Sequence, residues 1–373
     1  MSSKLPQQNY IACLLGGAIG DALGAPVEFM SINSIRERFG SLGVIGYVEF
    51  PDGSGEFTDD TQMTLFTAEG LLRYSHHDAG RGSDVDLNRK VYESYLRWLH
   101  TQGVSMYSGT VKLGMNMDEI ENGWLLGQKS LFKRRAPGNT CLSALQSGQV
   151  GTIEEPINNS KGCGGIMRVA PVGLAFPGRN EFAFRIASEI AAITHGHPSG
   201  YLSAGFFASL ISDLAVGIDL QVAINNALLI LEKWNGCGET LQAVGNALKL
   251  YENNRALIIA QPEMIPGLIE ELGAGWVGEE ALAISLFCSL LYTGDFEKGV
   301  LAAVNHSGDC DSTASIAGNI LGVLNGLDSI PVKWISNLRS NEIVSIIGAD
   351  LHSGKEVHSL IIDPEWLDKY PAS

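Results

Sequence analysis

The chain has 373 residues, 45% of them hydrophobic and 18% charged, the composition of a globular protein able to bury about three quarters of its unfolded surface in one or two cores. Its 25 basic residues against 41 acidic ones leave a formal net charge of −16, which argues against a non-specific grip on nucleic acid or on an anionic membrane. An anionic ligand therefore needs local positive charge from elsewhere.

The opening MSSKLPQQNY carries no basic segment followed by an apolar one. The longest apolar stretches, Ala281 to Leu286 and Phe287 to Tyr292, fall short of a membrane span. The expectation is a cytoplasmic protein without a membrane partner. From Tyr10 to Gly24 the apolar positions Ile11, Leu14, Leu15, Ala18, Ile19, Ala22 and Leu23 follow the helical stripe, which Gly24 and Pro26 should end. Gly16, Gly17 and Gly20 lie inside that helix. Each costs about 1 kcal/mol against Ala, so three together predict close helix contacts or a ligand approaching the backbone. Strand-like alternation occurs only at Val44 to Phe50. Further helical stripes run through Val91 to Leu99, Phe182 to Ile193, Leu202 to Val216, Leu220 to Leu231, Leu241 to Tyr251, Glu279 to Leu291 and Ile316 to Leu324. Gly-rich loops are expected at Gly103 to Gly109 and Lys161 to Gly165. No Pro/Ser-rich linker or block of like charge divides the chain, so the prediction is an all-α single domain. The 6 cysteines lack paired spacing and read as reduced thiols.

Two acidic clusters stand out. GEFTDDTQMTL, residues 55 to 65, groups Thr58, Asp59, Asp60 and Thr61, and HSGDCDSTASIAGN, residues 306 to 319, sets Asp309 and Asp311 before Ser312 and Thr313. A carboxylate at a helix N-terminus accepts orphan N–H groups and meets the positive dipole end, so either cluster could simply cap a helix. A cap needs one acid and each cluster supplies two. Together they offer carboxylates and hydroxyls of the kind that hard divalent cations such as Mg²⁺ prefer, enough for a two-ion site. No His or Cys group has zinc spacing.

GDALGAPVEF (20 to 29), FTDDTQ (57 to 62), APGNTCLSAL (136 to 145), KGCGGIMRVAPVG (161 to 173), THGHPSGY (194 to 201), GAGWVGEEALA (273 to 283) and HSGDCDSTASIAGNILG (306 to 322) together resemble the ADP-ribosylglycohydrolase family, in the family's order. The resemblance implies an all-α domain with two Mg²⁺ or Mn²⁺ ions in a cleft between helices. The implied activity is hydrolysis of the glycosidic bond between ADP-ribose and a protein side chain or small acceptor. It implies Thr58, Asp59, Asp60, Asp309, Asp311 and Ser312 as metal ligands, Ser312 standing where family members often carry Thr.

By the same resemblance, Glu28 in GAPVEF approaches the scissile ribose, although composition alone makes it a solvated loop residue. Asp60 is the second acid/base candidate, and the sequence does not rank the two. Asp21 is either a supporting partner of the site or a cap on a neighbouring turn. SKGCGGIMR presents unobstructed backbone N–H groups, as a phosphate cradle or as a plain tight turn. The family's use of this loop implies substrate contacts from Ser160, Gly162, Cys163 and Gly164, with Cys163 where others often have Asn. His195 and His197 end an apolar helix, where a core or capping role competes with ligand binding, and the family's pattern puts His195 near the phosphates. Trp276 is expected at the adenosine end, with core packing as its rival.

The leading expectation is a Mg²⁺-dependent hydrolase acting on ADP-ribosyl-arginine, with O-linked or small ADP-ribosylated substrates as alternatives. A binding role on the same fold, including an immunity protein with a toxin partner, and a two-metal phosphoesterase are the rivals.

Overall fold

The computed structural model describes residues 4–77, 84–114, 117–354 and 364–371. Among them helices carry the architecture, and no strand forms beyond isolated bridges between Gly55 and Leu338 and between Gly162 and Val277. The helices that position the site are α1 (Gln7–Gly24), α2 (Asp59–His77), α3 (Asp84–Thr101), α4 (Asn180–Ala192), α5 (Pro198–Leu214), α6 (Gly278–Leu291), α7 (Cys310–Asn325) and α8 (Asn341–Ser353).

The periodic stretches read from the sequence lie on helices, with ends differing by a few residues. The segment from Val44 to Phe50 does not form a strand. It runs as irregular chain against Trp334, whose carbonyl accepts from the Tyr47 hydroxyl at 3.0 Å. Alternation reports only that every second side chain is sheltered, and a loop lying on a helix satisfies that without a partner strand. The expected loop at Gly103 to Gly109 is shorter, because a helix starts at Tyr107. All 6 cysteines are free thiols.

Helix α1 runs along α7 in opposite directions, so Ala12 faces Gly322, Gly16 faces Gly318, Gly20 faces Ala314 and Gly24 faces Asp311. A methyl group on Gly20 would sit 2.0 Å from the Ala314 carbonyl oxygen, and one on Gly16 2.2 Å from that of Gly318. The two backbones therefore touch, and the glycines inside α1 exist for helix contact. Asn319 Nδ2 donates to the Cys13 carbonyl at 2.7 Å and fixes the register. Because the helices are antiparallel, the end of α1 meets the start of α7, and the chain continues through a short 3₁₀ turn, Ala25–Val27, to deliver Glu28 there.

Around this pair α8 packs on α1, α6 on α7, α2 on α3, and α5 on both α4 and α6. The buried apolar residues form one continuous cluster from Tyr10 to Tyr370. The stretch Gln7–Val27 is, against the sequence expectation, long and apolar enough by length and composition to cross a membrane, but 83% of its apolar window is buried within the fold. Its glycines and alanines let neighbouring helices cover it on all sides, as a core helix requires.

Candidate active site

Asp21, near the end of α1, accepts from the Thr58 N–H at 2.8 Å, the Thr61 N–H at 3.0 Å and the Thr61 hydroxyl at 2.6 Å. It caps the first turn of α2 from another helix, so the acids of that turn are released from capping duty. Burial raises the Asp21 carboxyl to about 6, while the threonine bonds pull it down. Both earlier readings of Asp21 therefore hold at once: it is a cap, and it supports the segment that carries Asp59 and Asp60.

Asp59 Oδ2 accepts from the Gly138 N–H at 3.0 Å, and the Asp59 N–H donates to the Arg135 carbonyl at 3.1 Å. Asp60 Oδ2 is buried without a hydrogen-bond partner. Thr58 is buried too, and its hydroxyl lies 3.4 Å from Asp311 Oδ2. On the opposite wall Asp309 caps α7 through Oδ1, which accepts from the Ser312 N–H at 3.3 Å, while its Oδ2 accepts from the Cys163 thiol at 2.8 Å. For Asp309 the capping reading is thus correct but incomplete. Asp311 lies one residue into the helix, and carboxyl oxygens of Glu28, Asp309 and Asp311 gather within 4.8 Å of one another.

Glu28, Asp59, Asp60, Cys163, Asp309 and Asp311 line one cleft of about 200 Å³ with Gly138, Asn139, Thr140, Cys141, Gly162, Gly164, Met167, His195, Trp276 and Ser312. Burial and mutual repulsion hold Glu28, Asp59, Asp60 and Asp311 protonated far above the ordinary carboxylate range. Glu28 is raised to about 8 by burial and by Asp309, Asp59 and Asp21. Asp59 reaches about 8, mainly through burial, and burial with neighbouring acids lifts Asp60 and Asp311 well above normal. Such a cluster is stabilised by positive charge placed among its oxygens.

Of the predicted site residues, Thr58 and Ser160 lie outside the cleft lining, Thr58 behind Asp311 and Ser160 with its hydroxyl 3.2 Å from that of Thr140 and accepting from the Gly162 N–H at 3.4 Å. Cys163, despite replacing an amide side chain, does make a side-chain bond, to Asp309. The two histidines separate cleanly. His197 caps α5, accepting from the Ser199 N–H at 3.1 Å, whereas His195, 1% exposed, lines the cleft. Core packing is excluded for Trp276, which is 40% exposed at the rim and stacks on Phe29 at 5.3 Å between ring centres. Lys161 is engaged by Glu239 at 2.8 Å and Glu279 at 2.6 Å, so it braces the glycine turn without presenting a free charge to the cleft.

Sequence reasoning gave no role to Gly138, Asn139, Thr140 or Cys141, although they sit in the quoted APGNTCLSAL segment. It also missed Phe29, whose signal was adjacency to Glu28.

A family model described as ADP-ribosylglycohydrolase matches residues 2–360. ADP-ribosylarginine hydrolase Tri1 of Serratia proteamaculans is 26% identical over 338 residues, covering 91% of this chain and 77% of its own length. The ADP-ribosyl-[dinitrogen reductase] glycohydrolase of Rhodospirillum rubrum is 22% identical over 343 residues, covering 91% and 92%. A solved structure described as an ADP-ribosylglycohydrolase-related protein complex shares the fold, with a TM-score of 0.56 at 22% identity over 93% of this chain and 98% of that one. The chain belongs to the ADP-ribosylglycohydrolase family, enzymes that hydrolyse ADP-ribosylated substrates.

Proposed function

We propose that the protein is a Mg²⁺-dependent hydrolase of the N-glycosidic bond between ADP-ribose and an arginine side chain. The observation that carries this reading is the convergence of Glu28, Asp59, Asp60, Asp309 and Asp311 on one cleft. The donor set suits hard divalent cations, and Asp60 Oδ2, buried and unpartnered, is an oxygen in need of one. Thr58, Asp59, Asp60, Asp309, Asp311 and Ser312 would hold two Mg²⁺, or Mn²⁺. Bound there, the ions supply positive charge that offsets the acids and orients the ribose hydroxyls.

The bond that breaks joins the anomeric carbon to a guanidine nitrogen, through a state with oxocarbenium character. The acids around the cleft stabilise that positive charge. Glu28, half-buried at the mouth, can exchange its proton with solvent and is our choice for the acid/base group, ahead of the fully buried Asp60. The turn at Gly162 and Gly164 carries no side chain there to block close approach of the diphosphate to the backbone. The Tri1 relative, named for ADP-ribosylarginine hydrolysis, supports arginine as the acceptor. Retention of both acid clusters and Glu28 favours turnover over a binding-only or toxin-blocking role.

The test is incubation with arginine-ADP-ribosylated protein, with and without Mg²⁺. Free ADP-ribose, released only with the ion, is the expected product. AMP would instead indicate a phosphoesterase, and tight ADP-ribose binding without release would indicate a binder. Release only from serine-linked or small-molecule substrates would overturn the arginine assignment.

A further inference from the structure

Arg168, at the end of the glycine turn's own segment, is completely buried, and its contacts among the described residues include no carboxylate. Its guanidinium lies over the Tyr95 ring at 4.3 Å, donates to the Ile190 carbonyl at 3.3 Å and to the Thr194 hydroxyl at 2.7 Å, and touches Cys141 Sγ at 3.4 Å. A buried cation without an ion pair is costly unless something nearby uses its charge. What adjoins it is His195. The Thr194 hydroxyl that receives the Arg168 bond lies 2.8 Å from His195 Nδ1.

We propose that Arg168, acting through Thr194, holds His195 neutral in the tautomer protonated at Nε2, aiming that N–H at a phosphate oxygen of the substrate over the Gly162–Gly164 turn. A guanidinium can only donate, so it occupies a lone pair of the Thr194 oxygen. The single hydroxyl hydrogen then has the Cys141 sulfur and Nδ1 in reach, of which the imidazole nitrogen is the stronger acceptor, and polarisation by the cation makes the hydroxyl a stronger donor. The charge acts in the same sense. A neutral imidazole is most stable beside a cation with its unprotonated nitrogen facing that cation, and a second positive charge on the ring is opposed. Burial and Arg168 together push the His195 ring down to about 3, consistent with neutrality.

The far side of the ring meets the cradle. A methyl group on Gly164 would lie 3.1 Å from Nε2 and one on Gly162 3.5 Å away, so the two glycines leave the space in front of this nitrogen clear. No group among the described residues hydrogen-bonds to Nε2, and His195 lines the cleft. Thr194 and Arg168 are therefore positioning residues, and His195 is the group that touches substrate. The assignment of the ligand rests on the proposed function, whereas the tautomer does not.

The experiment uses full-length protein labelled with ¹⁵N at histidine, with His195 identified by its loss in His195→Gln, and long-range ¹H–¹⁵N correlation to report which ring nitrogen bears hydrogen. In the wild type Nε2 is expected to be protonated and Nδ1 bare from pH 5 to pH 8. Thr194→Val should give a mixture or the opposite tautomer, and Thr194→Ser should restore the original. Arg168→Met is the harsher variant, and Thr194→Val, nearly isosteric, keeps the question answerable should Arg168→Met not fold.

Calorimetry with ADP-ribose as the probe forms the second arm. Thr194→Val is expected to weaken binding roughly tenfold, the loss of one bond to a charged group, and Thr194→Ser to recover it. A wild-type ring protonated at Nδ1, or a tautomer unmoved by Thr194→Val, overturns the lock. The expected tautomer with unchanged ADP-ribose affinity in Thr194→Val overturns the donor role. Failure of the wild type to bind ADP-ribose at all would overturn the proposed function, and the donor role with it, while the tautomer measurement stands.

Discussion

Replacing Asp60 or Asp311 by Asn removes one negative oxygen from a cleft in which both acids are buried. Turnover is expected to fall roughly a thousandfold, the size of effect seen when a preorganised electrostatic group is lost. The far-UV circular dichroism should be unchanged, and melting without added Mg²⁺ should be equal or higher, because the amide stays neutral in a buried position where the carboxyl must retain a proton to do so. Normal turnover in both variants would detach the acids from the chemistry. Asp21→Ala acts differently, since it strips the first turn of α2 of three hydrogen bonds. It should cost about 1–3 kcal/mol in urea unfolding and weaken Mg²⁺ roughly ten- to a hundredfold through loss of support to Asp59 and Asp60. The two acid clusters were readable because each supplies more carboxylates than a helix cap needs, and the structure brings acids of both to one cleft. Asp21 as the cap of α2 was not readable, since its partners are 37 and 40 positions away and capping rules are local. His197, followed by Pro198 and Ser199, carried a local cap signal that its kinship with His195 obscured.

Among the helices, α1 and α7 meet backbone to backbone, and glycine is the only residue that permits it at Gly16, Gly20 and Gly318. Gly20→Ala is expected to destabilise by about 1–3 kcal/mol or more through overpacking, measured by thermal or urea unfolding. It should also weaken Mg²⁺ binding, because separating the helices pulls Asp21 away from Asp309 and Asp311. A variant of unchanged stability would contradict the contact. Three glycines in one predicted helix announced this packing, though not its partner. Helix α2 went unrecognised as a full helix for a physical reason: it is buried all round, with Met63, Leu65, Phe66, Ala68, Leu71 and Leu72 interleaved with equally buried polar residues, so no one-sided apolar stripe marks it. Glu69 and Arg73 on α2 pair at 3.1 Å, and Arg97 on α3 reaches Glu69 at 2.8 Å, all fully buried. Periodicity of hydrophobic residues cannot register a helix held in that way.

For the whole molecule, the acid cluster sets the response to pH. Asp21, Asp59 and Glu28 rest at about 6, 8 and 8 in the folded protein against 3.8, 3.8 and 4.5 in an unfolded chain. The folded state thus keeps protons that the unfolded chain has released. This contribution to metal-free stability is complete below about pH 4 and is lost as pH rises through about 8. Melting in EDTA should therefore fall between pH 5 and pH 8, and the increase produced by Mg²⁺ should be larger at pH 8 than at pH 6, since the ion competes with protons for the same oxygens. A melting temperature that rises with pH in EDTA would contradict this picture.

The contact between α1 and α7 also has a consequence for biosynthesis. Glu28 and Asp60 leave the ribosome early, yet the wall that faces them begins only at Asp309. Until that late segment arrives, the glycine face of α1 has nothing to close against. Ribosome-bound chains ending before residue 300 should gain no protease resistance from Mg²⁺, whereas chains with residues 1–325 clear of the exit tunnel should gain it abruptly.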